Sequence, residues 1–294
     1  MKLKVALAQI NTVLGGVEQN LEKHLKYIEE ARQEGAELIV FPELSLTGYA
    51  LQDIVPTVAH RPDSSDPIFR ELLEASLGID VMVGFVEEDK RNRFYISAAY
   101  LSAGKVLDVH HKTYLPTYGL FDEGRFFARG DSVHAFETRF GRVGMLICEE
   151  FWHASPPYLL WLDGADIFLF HSASPGRGLP GTDEPGEMGR LASSRWVDDI
   201  TRAYAGLFTS FVVHANRVGF EDGLNFWGGA AIYSPDGVPL VHGPQHQEAL
   251  TVAELDLNQL HRTRARLPLL RDEQTDLTLR ELNRILDNCR DRGL

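Results

Sequence analysis

Three apolar runs in this chain each end on a side chain suited to chemistry. ELIVFPE stops at Glu43, KVLDVHHK at Lys112 and GRVGMLIC at Cys148, which Glu149, Glu150 and Phe151 follow at once. Short runs of this kind are buried strands, and a strand end is where the backbone leaves the sheet and can present a group to a ligand. A thiol delivered there is a candidate nucleophile, and the backbone amides after it can face a substrate carbonyl. An acid, a base and a thiol in three equivalent places say more than any one of them alone.

The rest of the chain alternates between strand and helix patterns. KLKVALAQI reads as a strand, and after the Gly15-Gly16 turn Leu21, Leu25, Ile28 and Ala31 recur at helical spacing. Next come ELIVFPE, a loop containing Gly48 and Pro56, and a helix over Asp66 to Leu77. The strands VMVGFVEE, FYISAAYLS and KVLDVHH follow, the last two divided by a hairpin turn at Ala103-Gly104. In the second half FGRVGMLIC and DIFLFHS read as strands around a short helix at Pro157 to Leu162. A glycine- and proline-rich loop from Pro175 to Gly186 leads to a long helix from about Glu187 to Gly206. FTSFVVHANRV, GAAIYSPDG and EALTVAELD are strands, with a turn at Pro235-Asp236-Gly237. Such alternation predicts an α/β fold in which helices cover sheets. No linker interrupts it, so one domain is expected over residues 1–266, with the charged, leucine-spaced segment 267–294 as an extension packing on the body or on a neighbouring subunit.

Composition removes several function classes. The 294 residues, 44% of them apolar, suffice for a full core. A formal charge of -13 repels phosphate backbones, and no Lys/Arg stripe offsets it, so nucleic acid is not an expected partner. No apolar run is long enough for a membrane span and the start reads as a strand, so a cytoplasmic protein is expected. Two cysteines, Cys148 and Cys289, do not make a disulfide framework, and a reducing compartment keeps Cys148 a thiol. Cys289, in a charged helical tail without acid or base nearby in sequence, reads as structural. The 11 histidines show no metal-ligand spacing, so neither a metal nor a cofactor is expected, and His110 and His111 read as hydrogen-bonding supports beside Lys112.

A thiol of ordinary pKa is mostly protonated at neutral pH, so a catalytic cysteine needs a base and a local positive charge. Glu43 can be the base. Lys112 can favour the thiolate and stabilise the oxyanion of a tetrahedral intermediate. The carboxyl that takes the thiol proton can return it to a leaving amine, which makes amide hydrolysis through a thioester the natural reaction.

FPELSLTGY around Glu43, HHKTYLPTYGLFDEGRFF around Lys112 and LICEEFW around Cys148 resemble, in the same order, the three signature segments of the nitrilase superfamily of carbon-nitrogen hydrolases. The resemblance spans essentially the whole chain. It implies a four-layer αββα sandwich, usually paired through helices around the active site into an eight-layer αββα-αββα dimer. It also implies a second supporting carboxylate after the lysine, for which Glu123 in LFDEGRFF is the matching position. Within the superfamily the likeness is to the glutaminase domains of glutamine-dependent NAD synthetases, carried by LPTYGLFDEGRFF, CEEFW, FHSASP, VGFEDGLNFWGGAAI and PLLRDEQTDLTLRE.

By matched position, Tyr49, Tyr118, Glu149, Trp152 and Ser174 would line the amide pocket, with Glu149 facing a substrate ammonium and its backbone N–H joining Lys112 in the oxyanion hole. True nitrilases generally carry Trp directly after the cysteine; Glu149 in that place favours an amide over a nitrile. Glu150 replaces the more usual Asp, and Arg202-Ala203-Tyr204-Ala205-Gly206 departs from the Arg-Ala-x-Glu-Asn of many standalone amidases. The sequence carries no SGGxDS-type ATP-pyrophosphatase loop, so NAD synthesis by this chain alone is not expected. The expected activity is hydrolysis of a small linear carboxamide, glutamine-like or otherwise aliphatic, to acid and ammonia, by a homodimer or higher even oligomer whose only other reactant is water. The alternatives are an ammonia-supplying glutaminase subunit, or a noncatalytic partner, of a separate ATP-dependent synthetase, and, disfavoured by Glu149, a nitrilase.

Overall fold

The computed structural model describes residues 1–176 and 191–291. The first half runs β1 (Lys2–Gln9), α1 (Val17–Gln33), β2 (Leu38–Val40), α2 (Pro67–Ala75), β3 (Asp80–Glu88), β4 (Phe94–Ser102) and β5 (Lys105–His111). After the short α3 (Glu123–Phe126) come β6 (Ala135–Thr138), β7 (Gly141–Ile147), α4 (Ser155–Leu162), β8 (Ile167–Ser172), α5 (Ala192–Phe208) and β9 (Phe211–Asn216). β10 (Val218–Glu221), β11 (Leu224–Trp227), β12 (Ala231–Tyr233), β13 (Pro239–His242) and β14 (Ala249–Asp256) precede α6 (Asn258–Arg266), α7 (Leu269–Asp272) and α8 (Thr275–Asp291).

Two six-stranded sheets result, ordered β14-β1-β2-β3-β4-β5 and β13-β12-β9-β8-β7-β6. Each has a parallel centre, β1-β2-β3 in one and β7-β8-β9 in the other, with antiparallel strands at its edges. Strand β8 shows how the layers stack. Its Ile167 and Leu169 enter the core between the sheets, whereas Phe168 and Phe170 pack with Trp161 of α4 and Val197, Ala205 and Phe208 of α5. All its residues are buried, as expected of a parallel strand covered on both faces. On the other side Leu21, Ile28 and Ala31 of α1 and Phe69 and Leu72 of α2 pack onto the first sheet, completing the four layers αββα. Asp66 caps α2, its Oδ1 accepting from Ile68 N at 2.9 Å and Phe69 N at 3.2 Å, and Pro67 stands at the first helical position, where its missing N–H costs nothing.

The sequence reading placed no strand at β6 or β13, and three further details differ from it. The ELIVFPE run leaves the sheet before its glutamate: β2 ends at Val40, since Pro42 has no N–H for the ladder and Leu44 takes a left-handed φ of 49°. The helix expected from Glu187 starts at Ala192, and residues 187–190, like most of the Pro175–Gly186 loop, lie outside the described residues. Finally, the β10-β11 hairpin escaped that reading although Asp222-Gly223, at φ 47° and 78°, is a strong two-residue hairpin signal.

Candidate active site

Because β5 runs parallel to β3, and β3 to β2, the carboxyl ends of these strands lie along one edge of the first sheet. The carboxyl ends of β7 and β8 do the same in the second. Glu43 follows β2, Lys112 follows β5 and Cys148 follows β7, so both sheets deliver their reactive groups at strand ends, the usual location of sites in α/β folds.

Each turn is held by its neighbours. The Glu43 turn lies directly on β3 at Gly84, where a Cβ would stand 2.5 Å from Pro42 O and 2.6 Å from Leu44 N. Two polar residues on the inner face of α1 secure it further: His24 Nε2 is 2.9 Å from Ser45 Oγ, and Asn20 Nδ2 donates to Leu46 O at 2.9 Å. Cys148 takes φ 49°, a conformation that costs a residue with a Cβ on the order of 1–3 kcal/mol and recurs at functional turns. Glu150 fastens that turn to the Lys112 loop. Its carboxylate accepts from Ile147 N at 2.6 Å, Thr113 N at 2.8 Å, Thr113 Oγ1 at 2.5 Å and His110 Nε2 at 2.7 Å. Burial would raise its pKa, but the charge and hydrogen bonds of His110, with Thr113 and Ile147, more than reverse this and lower it.

At the centre, Lys112 Nζ donates to Glu43 Oε1 at 2.7 Å and to Glu123 Oε1 at 2.9 Å. The other Glu43 oxygen accepts from Ala173 N at 2.8 Å, a bond that crosses to the segment after β8. Glu123 also accepts from the Tyr49 hydroxyl at 2.6 Å. All of these side chains except that of Tyr49, which is partly exposed, are buried. Burial works against the Lys112 ammonium, yet Glu123 and Glu43 together outweigh it and hold its pKa well above the ordinary lysine value. Glu123 is pushed up to about 7 by burial, against the pull of Lys112 and with the added repulsion of Glu43. Burial, reinforced by Glu43, also raises the Cys148 thiol well above its ordinary value, and Lys112 offsets only part of that. Burial and Glu43 thus favour the protonated thiol over the thiolate.

Residues 4–265 match the carbon-nitrogen hydrolase family. The chain belongs to that family. This carbon-nitrogen hydrolase is 32% identical over 258 residues to the glutamine-dependent NAD(+) synthetase of Acinetobacter baylyi, a match covering 87% of this chain and 44% of that protein. The solved glutamine-dependent NAD+ synthetase of Acinetobacter baumannii superposes with a TM-score of 0.76 at 28% identity, over 88% of this chain and 47% of that one. The chain thus spans less than half the length of these two synthetases. A carbon-nitrogen hydrolase from Helicobacter pylori G27, 21% identical, shares the fold with a TM-score of 0.82 over 96% of this chain and 99% of that one.

In this carbon-nitrogen hydrolase a cavity of about 140 Å³ opens onto Cys148, lined among others by Tyr118, Phe121, Glu149, Trp152 and Ser174. Tyr118 donates to both Glu149 oxygens, at 2.9 and 3.0 Å. Four of the five residues expected in the amide pocket therefore surround the thiol. Tyr49 is the exception. It lines a separate cavity of about 400 Å³ with Glu123 and Phe121, because its hydroxyl is drawn to Glu123 and its backbone N–H is held by Glu221 at 2.7 Å. The two adjacent histidines also part company, His110 facing Glu150 inside and His111 pairing with Glu87 at 2.8 Å near the surface. Among the described residues no group of His, Cys, Asp and Glu is placed to hold a metal ion. Sequence reasoning missed the grip of Glu150 on both loops and the part of Glu221; only the hairpin around Glu221 had a local sequence signal.

Proposed function

We propose that this chain hydrolyses a small linear carboxamide to the carboxylic acid and ammonia. The supporting observation is the buried Lys112 ammonium shared between Glu43 and Glu123, beside a thiol that opens onto a small cavity. In this reading Glu43 takes the Cys148 proton as the sulfur attacks the amide carbon, and Lys112, with the Glu149 backbone N–H, stabilises the oxyanion that forms. Collapse of the intermediate breaks the carbon-nitrogen bond, Glu43 returns the proton to the leaving nitrogen, and ammonia departs, leaving a thioester. Glu43 then deprotonates a water that attacks the thioester carbon, releasing the acid and restoring the thiol. Glu123 keeps Lys112 charged and aimed.

The carboxylate of Glu149, hydrogen-bonded by Tyr118 in the cavity wall, suits an amide that carries an ammonium group, as glutamine does. Residues 1–266 constitute the hydrolase domain in this proposal, and 267–294 an extension toward the body or a second subunit. Exposed Leu159 of α4, Trp196 and Leu207 of α5 and Leu279, Leu282 and Leu286 of α8 favour a homodimer or higher even oligomer. A reducing, cytoplasmic setting would keep Cys148 free.

The test is ammonia release from glutamine, asparagine, omega-amides of keto acids, carbamoyl compounds and simple aliphatic amides. One or a few should turn over with the native chain and none with Cys148→Ala; undiminished release by that variant overturns the proposal. The similarity to synthetases about twice as long favours a second reading, an ammonia-supplying subunit of an ATP-dependent synthetase. It predicts that native-lysate pull-down recovers a stoichiometric ligase and that amide hydrolysis rises when that ligase is present.

A further inference from the structure

Arg217 and Glu221 form a buried ion pair that the reaction steps above do not use. Arg217 Nη2 lies 2.7 Å from Glu221 Oε2 and the guanidinium packs 4.5 Å from the ring centre of Phe226. Among the described residues, its Nε and Nη1 find no hydrogen-bond partner, so Glu221 supplies its only counter-charge at contact distance. Glu221 Oε1 in turn accepts from Tyr49 N at 2.7 Å and Ala50 N at 2.8 Å. The approach is close enough that a Cβ at Gly48, where φ is 81°, would stand 2.6 Å from Glu221 Oε2. The ring of Tyr49 lies edge-on to Phe226 at 5.9 Å, and its hydroxyl reaches Glu123 at 2.6 Å. The same hairpin holds the opposite wall, since Gly176 N donates to Asn225 O at 2.6 Å and Pro175 bridges Phe226.

We propose that Arg217 and Glu221 are positioning residues, the ion pair that runs along β10 from the base of the β10-β11 hairpin to its turn fixing the Tyr49 backbone so that its hydroxyl stays on Glu123 and Glu123 stays on Lys112. Loss of Glu221 frees the two N–H groups at Tyr49 and Ala50, and the hydroxyl then leaves Glu123. A hydrogen bond to a carboxylate favours its ionised form, so Glu123 holds its proton to higher pH once that bond is gone. The other charged and titratable groups around Glu123 are Lys112, Glu43 and Cys148 inside the site and Asp53, Asp122, Arg125 and Asp222 along the same cavity, and the proposed step acts directly on none of them.

The proposal rests on the amide-hydrolase reading for its kinetic arm only, and a second arm needs no turnover. In a Cys289→Ala background, the rate of Cys148 alkylation by iodoacetamide is followed against pH for the native site, Glu221→Gln, Tyr49→Phe and the two combined. Each single variant should move the near-neutral inflection upward by about half a unit or more, and the combined variant no further than Tyr49→Phe. With an amide that the native chain turns over, kcat should fall about tenfold in each single variant with KM within about twofold, again without addition in the pair. Arg217→Met/Glu221→Gln, which leaves no buried charge, makes the same comparison if Glu221→Gln alone folds poorly. Additive shifts, or a lower melting temperature with unchanged inflection and kcat, overturn the proposal. If no amide is hydrolysed but the inflections couple as described, the functional reading fails and the positioning device stands.

Discussion

His110 Nε2 lies 2.7 Å from Glu150 Oε2, and this bond ties the residue two places before Lys112 to the residue two places after Cys148. A carboxylate can only accept, so the ring carries its proton on Nε2. Glu150→Gln leaves four donors facing one acceptor oxygen and an amide NH2 that repels them. The expected loss is about 2–4 kcal/mol in stability and at least about tenfold in kcat. Urea unfolding and steady-state rates check both; a variant of native stability would show that the two loops are held in another way.

Lys112→Met should be among the most damaging single changes. It leaves Glu43 and Glu123 buried with no cation between them, at a cost of about 3–5 kcal/mol unless they take up a proton. It also removes the proposed oxyanion contact, worth roughly 10²–10³ in kcat. Lys112→Arg should not rescue, because a planar fork cannot replace a compact ammonium held by Glu43 and Glu123. The comparison is read by kcat for the three proteins.

Glu43 and Glu123 should separate by their pH behaviour. Glu43→Gln removes the proposed base and should cost about 10²–10⁴ in ammonia release at every pH. Glu123 is pushed up to about 7 by burial and the neighbouring Glu43, against Lys112. The native activity profile should therefore bend near neutral pH, and in Glu123→Gln that bend should disappear while measurable turnover remains. An unchanged bend in Glu123→Gln would assign the titration to another group.

Much of this arrangement was legible in the sequence because strand ends announce themselves. The apolar runs before Lys112 and Cys148 are strands with the expected bounds, and Glu43 misses its strand end only because Pro42 breaks the ladder early. The layers could be read from alternation of helical and strand periods, and β8 is buried on both faces as its unbroken IFLF implies. What could not be read is which distant side chain meets which. Glu150 looks like half of an acidic turn until folding buries it among four donors, and Tyr49 looks like a pocket wall until Glu221, 172 residues away, holds its backbone toward Glu123. Pairings of this kind depend on the register between two sheets, which no local pattern contains.

Three buried histidines set an acid limit on stability. Burial lowers His24 and His171 to about 4 and His214 to about 3. In the unfolded chain they titrate near 6.5. Their stabilising effect is complete above pH 6.5 and is lost as pH falls toward their folded values, because the unfolded state binds protons that the native state refuses. Glu123, raised to about 7, opposes the trend over the same range, but one group offsets only part of three. Urea midpoints should drop between pH 6.5 and 5, by on the order of a few kcal/mol in ΔG; a flat or rising midpoint contradicts this.

The most direct measurement of the central claim is intact-mass and peptide analysis of the enzyme quenched during turnover of its best amide. The account predicts a mass gain equal to the acyl group, removed by hydroxylamine, on the peptide containing Cys148, and none in Cys148→Ala. An acyl group on any other residue, or steady ammonia release with no adduct in the native chain and no loss in Cys148→Ala, would contradict it.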